Sequence, residues 1–201
     1  FVMSKMAADT IHGGNTLRKV VDYFCHLAVK PDFYSQMVKD DEFDNTEYAS
    51  KIKWLARDNE DIYDPDYNDM LRVAFMYSFD RAKLADLVSL LSGRDFETRE
   101  FKEDIVEDSY NRLREGIKQF INEHNFNQFV LAIKGAGYKS RKQLGSQMTL
   151  DFAYLLYLKL LNDSEIPHDQ IKHHVQKWFV LSTLTGRYVG SPESVMSRDI
   201  R

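Results

Sequence analysis

Read as a pattern of apolar and polar positions, the chain is helical along its whole length. Leu17, Val20, Val21, Phe24, Leu27 and Ala28 recur at the spacing that puts them on one helix face. Tyr48, Ile52 and Leu55 repeat the pattern. Two helices are predicted from about Tyr67 to Phe79 and from about Arg81 to Ser92, with Asp80 capping the second and Gly93 stopping it. Ile105, Leu113, Ile117, Phe120 and Ile121 mark a long helix that ends near Asn122. Phe126, Phe129, Val130 and Ile133 mark a short one, closed by Gly135 and Gly137. Leu150, Ala153, Tyr154, Tyr157, Leu158 and Leu161 line the next, with Ser146 as its cap, and Ile171, Val175, Trp178, Phe179 and Ser182 form another after Pro167. Ser191-Pro192-Glu193 reads as a last helix start, a Ser cap followed by Pro in the first turn. No period-two alternation survives beyond a few residues, so no strand is expected. The prediction is an all-α bundle of about nine or ten helices. A soft boundary divides an N-terminal helical subdomain, 1–94, from a C-terminal one, 95–201.

Composition changes this picture little. Apolar residues make up 43% and charged residues 29%, with a formal net charge of −4. A general polyanion binder is usually basic, so any nucleic-acid contact must come from a local patch. The single cysteine, Cys25, excludes an internal disulfide framework and a four-Cys zinc site, and points to a reducing, cytoplasmic setting. No apolar run reaches the roughly 18 residues of a membrane span. The longest, near Phe152–Leu161, is interrupted by Lys159. Phe1 to Met6 lack the basic-then-apolar order of a signal peptide. The chain opens on Phe1 and stops at Arg201 inside a helical pattern, so it is expected to be a piece of a longer protein.

Candidate chemistry is sparse. Asp64-Pro65-Asp66-Tyr67-Asn68 begins like a calcium loop, but Asp69 and Phe75 stand where Gly and Glu are needed. A helix start explains these acids better. Gly135-Ala136-Gly137-Tyr138-Lys139-Ser140 partly matches a phosphate loop, yet it follows a helix rather than a strand, and Tyr138 replaces the required Gly. His168, His173 and His174 do not share one face at metal-ligand spacing, and His12, His26 and His124 are scattered. Asp104, Glu107 and Asp108 suit the acidic first turn of a helix. No catalytic, cofactor-binding or metal-ligating residue is assigned. The clearest binding candidate is a basic turn in which Lys134, Lys139, Arg141 and Lys142 surround Tyr138. There, cations would hold a nucleic-acid backbone and the ring would stack on a base. Arg94 and Arg99 around Phe96 form a weaker second candidate.

A resemblance adds to this reading. The residues that carry it are Lys177-Trp178-Phe179-Val180-Leu181-Ser182, then Gly186-Arg187-Tyr188, Gly190-Ser191-Pro192-Glu193-Ser194 and Asp199-Ile200, with Phe129–Ile133 and Gly137-Tyr138 upstream. They resemble the helical region of the GmrSD-type restriction endonuclease family, whose main domain is also called domain of unknown function 262. In that family a Trp-bearing helix leads into an Arg-Tyr turn and a final helix ending in Asp-Ile. Trp178, Arg187, Tyr188 and Asp199 fall on those pattern positions. The resemblance covers about Phe120–Arg201 and implies a nucleotide-hydrolysing N-terminal domain, often followed by an HNH-type nuclease, acting on modified foreign DNA. This sequence has neither the family's Asp-Gly-Gln-Gln-Arg motif nor a His-Asn-His array, so no catalytic residue carries over.

The expectation is therefore a non-catalytic helical scaffold or binding module. Its partners would be the absent N- and C-terminal domains and DNA, with no cofactor of its own. The alternative is a protein–protein interaction or homo-oligomerisation module with no nucleic-acid role.

Overall fold

The computed structural model describes residues 62–200, apart from 66, 92, 96, 97 and 99. These hold seven α-helices: α1 Tyr67–Phe79, α2 Leu84–Leu91, α3 Glu103–Phe120, α4 Glu123–Gly135, α5 Met148–Leu161, α6 His168–Leu184 and α7 Pro192–Asp199, with a 3-10 turn, Arg141–Gln143, before α5. Among the described residues there is no strand, only an isolated bridge between Arg94 and Phe101. The expected all-helical class is what the described residues adopt. The described residues supply seven of the nine or ten helices expected of the whole. The helices expected before residue 62, and the Cys25 and His26 positions, lie outside the described residues.

Helix α5 is the centre. Thr149 to Leu155 are all buried, as are Tyr157 and Leu158, so no face of its first two turns meets water. Around it pack α1, α4 and α6, while α3 packs on α1 and α2. A ring of aromatics fills the space between α5 and α4. Tyr63 stacks on Phe126 at 5.5 Å, and Tyr154 meets Phe126 edge-on at 5.5 Å and Phe129 at 4.9 Å. Each fully buried Phe side chain of this kind contributes about 1.5–3 kcal/mol through removal from water. Tyr154 also donates its hydroxyl to the Phe120 carbonyl at 2.9 Å, which satisfies the end of α3. The boundary drawn after residue 94 falls between α2 and α3. The buried core runs across it, joining Val73 and Phe75 of α1 with Leu113 and Ile117 of α3.

Two junctions differ from expectation. Asp80 does not cap α2, which starts only at Leu84. It takes a left-handed φ of 54° and donates its N–H to the Met76 carbonyl at 3.1 Å, so it closes α1. Asp tolerates that conformation better than most residues, and its carboxylate pairs with Lys159. Ser191 precedes α7 as predicted, but at φ 46° its side chain makes no cap bond. Ser146 does receive the Met148 N–H at 3.2 Å, while the residue immediately before α5 is Gln147.

The α1–α3 crossing depends on one glycine. A Cβ on Gly116 would lie 2.4 Å from the Ala74 carbonyl oxygen and 2.6 Å from Ser78 Oγ. On an exposed helix surface Gly→Ala stabilises by about 1 kcal/mol. Here the clash reverses the sign, and Gly116→Ala is expected to cost about 1–3 kcal/mol. Denaturant unfolding checks it; an unchanged or raised midpoint would show that the two backbones are not in contact.

Candidate functional site

The basic turn is built by the end of α4. Gly135 is its last residue and Gly137 turns the chain at a left-handed φ of 96°. Gln176 of α6 donates Nε2 to the Ala132 carbonyl at 2.8 Å, and a Cβ on Gly135 would collide with that amide. Ser140 and Gln143 then form a capping box. Gln143 Oε1 accepts the N–H groups of Lys139 (2.7 Å) and Ser140 (3.0 Å), and Ser140 Oγ accepts that of Lys142 at 3.3 Å. The turn is thereby fixed by its own side chains. Lys139, Arg141 and Lys142 project from it, exposed, with no side-chain ion pair or hydrogen bond among the described residues. Lys134 is half-buried, and Lys172 of α6 lies alongside, its Nζ 3.6 Å from where a Cβ on Gly135 would stand.

Tyr138 packs its ring edge-on against buried Phe179 at 5.0 Å and is half-buried. It anchors the turn to α6 and leaves part of the ring at the surface. Of the weaker candidate, Arg94 is exposed, while Phe96 and Arg99 lie outside the described residues.

The four family-pattern residues come together. Trp178 stacks on Phe152 at 5.0 Å and meets Tyr188 at 5.9 Å. Tyr188 is buried and donates its hydroxyl to Asp199 Oδ2 at 2.7 Å. Arg187 grips the same carboxylate with two bonds, from Nε at 2.6 Å and from Nη2 at 2.5 Å. Arg187 thus bonds a side chain on α7. Burial pushes the Asp199 carboxyl up, but the Arg187 and Tyr188 hydrogen bonds and the Arg187 charge outweigh it, and the group ionises below the usual carboxylate range. Burial and the bond to Asp199 push the Tyr188 hydroxyl up. The cluster ties the turn after α6 to the end of α7.

A second polar cluster is nearly sealed from water, and sequence reasoning missed it. Asp151, in the first turn of α5, is 0% exposed. Its Oδ1 accepts from the Tyr63 hydroxyl at 3.1 Å and its Oδ2 from Arg72 Nη1 at 3.3 Å. Arg72, on α1, also lies 3.7 Å from Asp69 and 3.6 Å from Glu193 of α7. Gln147 donates Nε2 to Asp69 at 2.6 Å. Arg72 Nε and Gln147 Oε1 are buried without a hydrogen-bond partner. Burial, then the neighbouring Asp69, push the Asp151 carboxyl well above its ordinary range; Arg72 and Tyr63 pull it back only in part. The sequence signal was the lone acid in an otherwise apolar helix start, since a charge there must find a partner.

Among the described residues no group of three His, Cys, Asp or Glu side chains is placed to hold a metal ion, and no helix is long and apolar enough to cross a membrane. The side chains of Asp104 and Glu107 lie outside the described residues, and Asp108 is exposed. Fold and site together define, among the described residues, an all-helical body with a preformed basic turn, one buried ionic joint and one at the rim. No family model, curated protein or solved structure matches the chain.

The joints differ in depth, and so does the cost of breaking them. Arg72→Met leaves buried carboxyls uncompensated and is expected to cost about 3–5 kcal/mol. Asp199→Asn breaks a pair whose arginine is 47% exposed, and solvent screening lowers that to about 1–2 kcal/mol. Because Asp199 is depressed when folded, its contribution is present above the unfolded aspartate value of about 4 and is lost as pH falls through the folded value. Unfolding of the native chain and Asp199→Asn across acid pH checks this. The gap between them should close below that range, and a gap that widens there would contradict it.

Proposed function

We propose that this chain is the helical scaffold and binding module of a GmrSD-like, nucleotide-dependent restriction protein active against modified foreign DNA. In this reading it breaks no bond itself. It holds a nucleotide-hydrolysing domain and a nuclease domain of the parent protein in register, in the cytoplasm, as a body of nine or ten helices. It touches DNA through Lys139, Arg141 and Lys142. The observation that supports the DNA contact is the fixed turn, whose three cations are exposed and have no ion pair among the described residues. Contacts of this type bind phosphates and position a duplex without reading its sequence. The resemblance in Lys177–Ser194 supplies the rest of the reading.

A second reading, a protein–protein interaction or self-association module, is favoured by one specific feature. Leu181, Leu184 and Val189 are 54%, 75% and 67% exposed near the end of α6. Apolar side chains grouped at a surface suit a partner.

One binding experiment separates the two. A short DNA duplex titrated with the chain at low and moderate salt should bind, and the logarithm of its affinity should fall linearly with the logarithm of salt. The triple change Lys139→Ala, Arg141→Ala, Lys142→Ala should remove about three phosphate contacts' worth of that slope. An unchanged slope would move the contact elsewhere. No binding even at low salt, together with association that Leu184→Asp abolishes, would favour the second reading.

A further inference from the structure

The charges of this chain are sorted by segment. Residues 124–150 carry Lys134, Lys139, Arg141 and Lys142 and no acid, and residues 170–192 carry Lys172, Lys177 and Arg187 and no acid. All 31 acids of the chain, against 27 lysines and arginines, lie outside these two segments. Folding then brings the two together. The first holds most of α4 and the turn after it, the second holds most of α6, and the helices pack on one another. Gln176 Nε2 reaches the Ala132 carbonyl, Tyr138 packs on Phe179, and Lys172 Nζ lies 3.6 Å from where a Cβ on Gly135 would stand.

Solubility alone does not require this sorting. A solvated helix surface ordinarily mixes both signs. Helix α3 does so, with five acids and three bases, and Lys118 pairs with Glu115 at 3.2 Å. On α6 every charged side chain after Asp169 is a lysine. Lys172, His173 and Lys177 are exposed, and none has an ion pair among the described residues. His173 and Lys177 are one turn apart and share a face, and a ring N–H of His173 can donate to a phosphate oxygen. Lys172 and Lys177 stand about 7.5 Å apart along the helix axis, roughly two nucleotide steps of one DNA strand, so they can meet different phosphates.

We propose that α6 is the second half of the DNA contact, with Lys172 and Lys177 continuing the run of phosphate contacts that Lys139, Arg141 and Lys142 begin. This rests on the DNA reading above and adds residues to the same site. What carries it is the packing of two acid-free segments side by side. No carboxylate stands on either segment to compete for the lysines or to repel a phosphate. Asp169 sits in the first turn of α6, and no ion pair joins it to Lys172 among the described residues. Arg187 is not part of the path, because Asp199 already holds it. The occupant that fits such a surface is a backbone of repeated negative charges, held by its phosphates and not read by its bases.

The test titrates a short DNA duplex with the native chain, with the pair Lys172→Ala and Lys177→Ala, and with the turn triple Lys139→Ala, Arg141→Ala and Lys142→Ala, at salt from about 50 to 200 mM. Each phosphate contact contributes about 0.9 to the slope of log affinity against log salt. The α6 pair should therefore lower the slope by about 1.8, in addition to what the turn triple removes. Lys172→Arg with Lys177→Arg keeps both charges and should keep the native slope. Should the Ala pair fail to fold, Lys172→Gln with Lys177→Gln repeats the measurement. A slope that falls only in the turn triple overturns the α6 contact and leaves the turn reading standing. A slope that falls only in the α6 pair upholds the α6 contact and overturns the turn. No binding by the native chain at the lowest salt overturns both.

Discussion

Arg72 is the residue on which the arrangement depends, because it makes it tolerable to bury Asp151. An isolated carboxylate in the interior costs several kcal/mol, and that cost is met only by a partner charge and full hydrogen bonding. Arg72 and the Tyr63 hydroxyl supply both. Once Asp151 is held, the rest of α5 packs without a polar face, and α1, α4 and α6 can close on it from different sides. The same guanidinium reaches Glu193, so the last helix is hung from the joint that seats the central one. A buried ion group of this kind gives little net stability over an apolar replacement. What it gives is a fixed angle, because helix ends bonded through shared oxygens cannot slide as Leu-to-Leu contacts can.

The second joint works on a different principle. Phe152, Trp178 and Tyr188 form a stack that is mainly area burial, and the Tyr188 hydroxyl converts it into a directional contact by reaching Asp199. Arg187 adds a charged clamp at the rim, where water weakens it. Met196, fully buried, supplies the peg that α7 drives into the core between its two ionic ends. Eight residues would not stay helical alone. Their order comes from contacts at both ends and the middle, and Ser197 adds one more by accepting the Ala82 N–H at 3.2 Å.

The helices after residue 62 were legible because their apolar periodicity is unbroken. Tyr67–Phe79 is found where it was expected; Pro167 immediately precedes α6, and Pro192 is the first residue of α7, where proline suits a helix start. Asp80 was misassigned because an Asp between two helices serves equally well as an opening cap or a left-handed close, and local sequence does not say which helix claims it. The basic turn was readable as a cluster of charges. That Tyr138 faces inward was not, since it depends on Phe179, far along the chain. The buried acid joint was the least legible feature. Asp69 and Arg72 are a turn apart and could be paired by spacing, but Arg72 and Asp151 are 79 residues apart, and their contact exists only once the helices have packed.

The two ends of this molecule also place a constraint on any polyanion contact. The basic turn sits at the C-terminal end of α4, where the helix dipole is negative and repels an anion. Lys134 in the last turn and Lys172 alongside Gly135 lie at that end and offset the dipole. The N–H groups of Lys139, Ser140 and Lys142, which elsewhere might cradle a phosphate, are already spent inside the capping box. Attraction at the turn must then come from its three projecting side chains alone. Such a contact is a matter of charge and spacing, strongest at low salt and indifferent to sequence. Specificity for any particular DNA has to be supplied by something other than this turn.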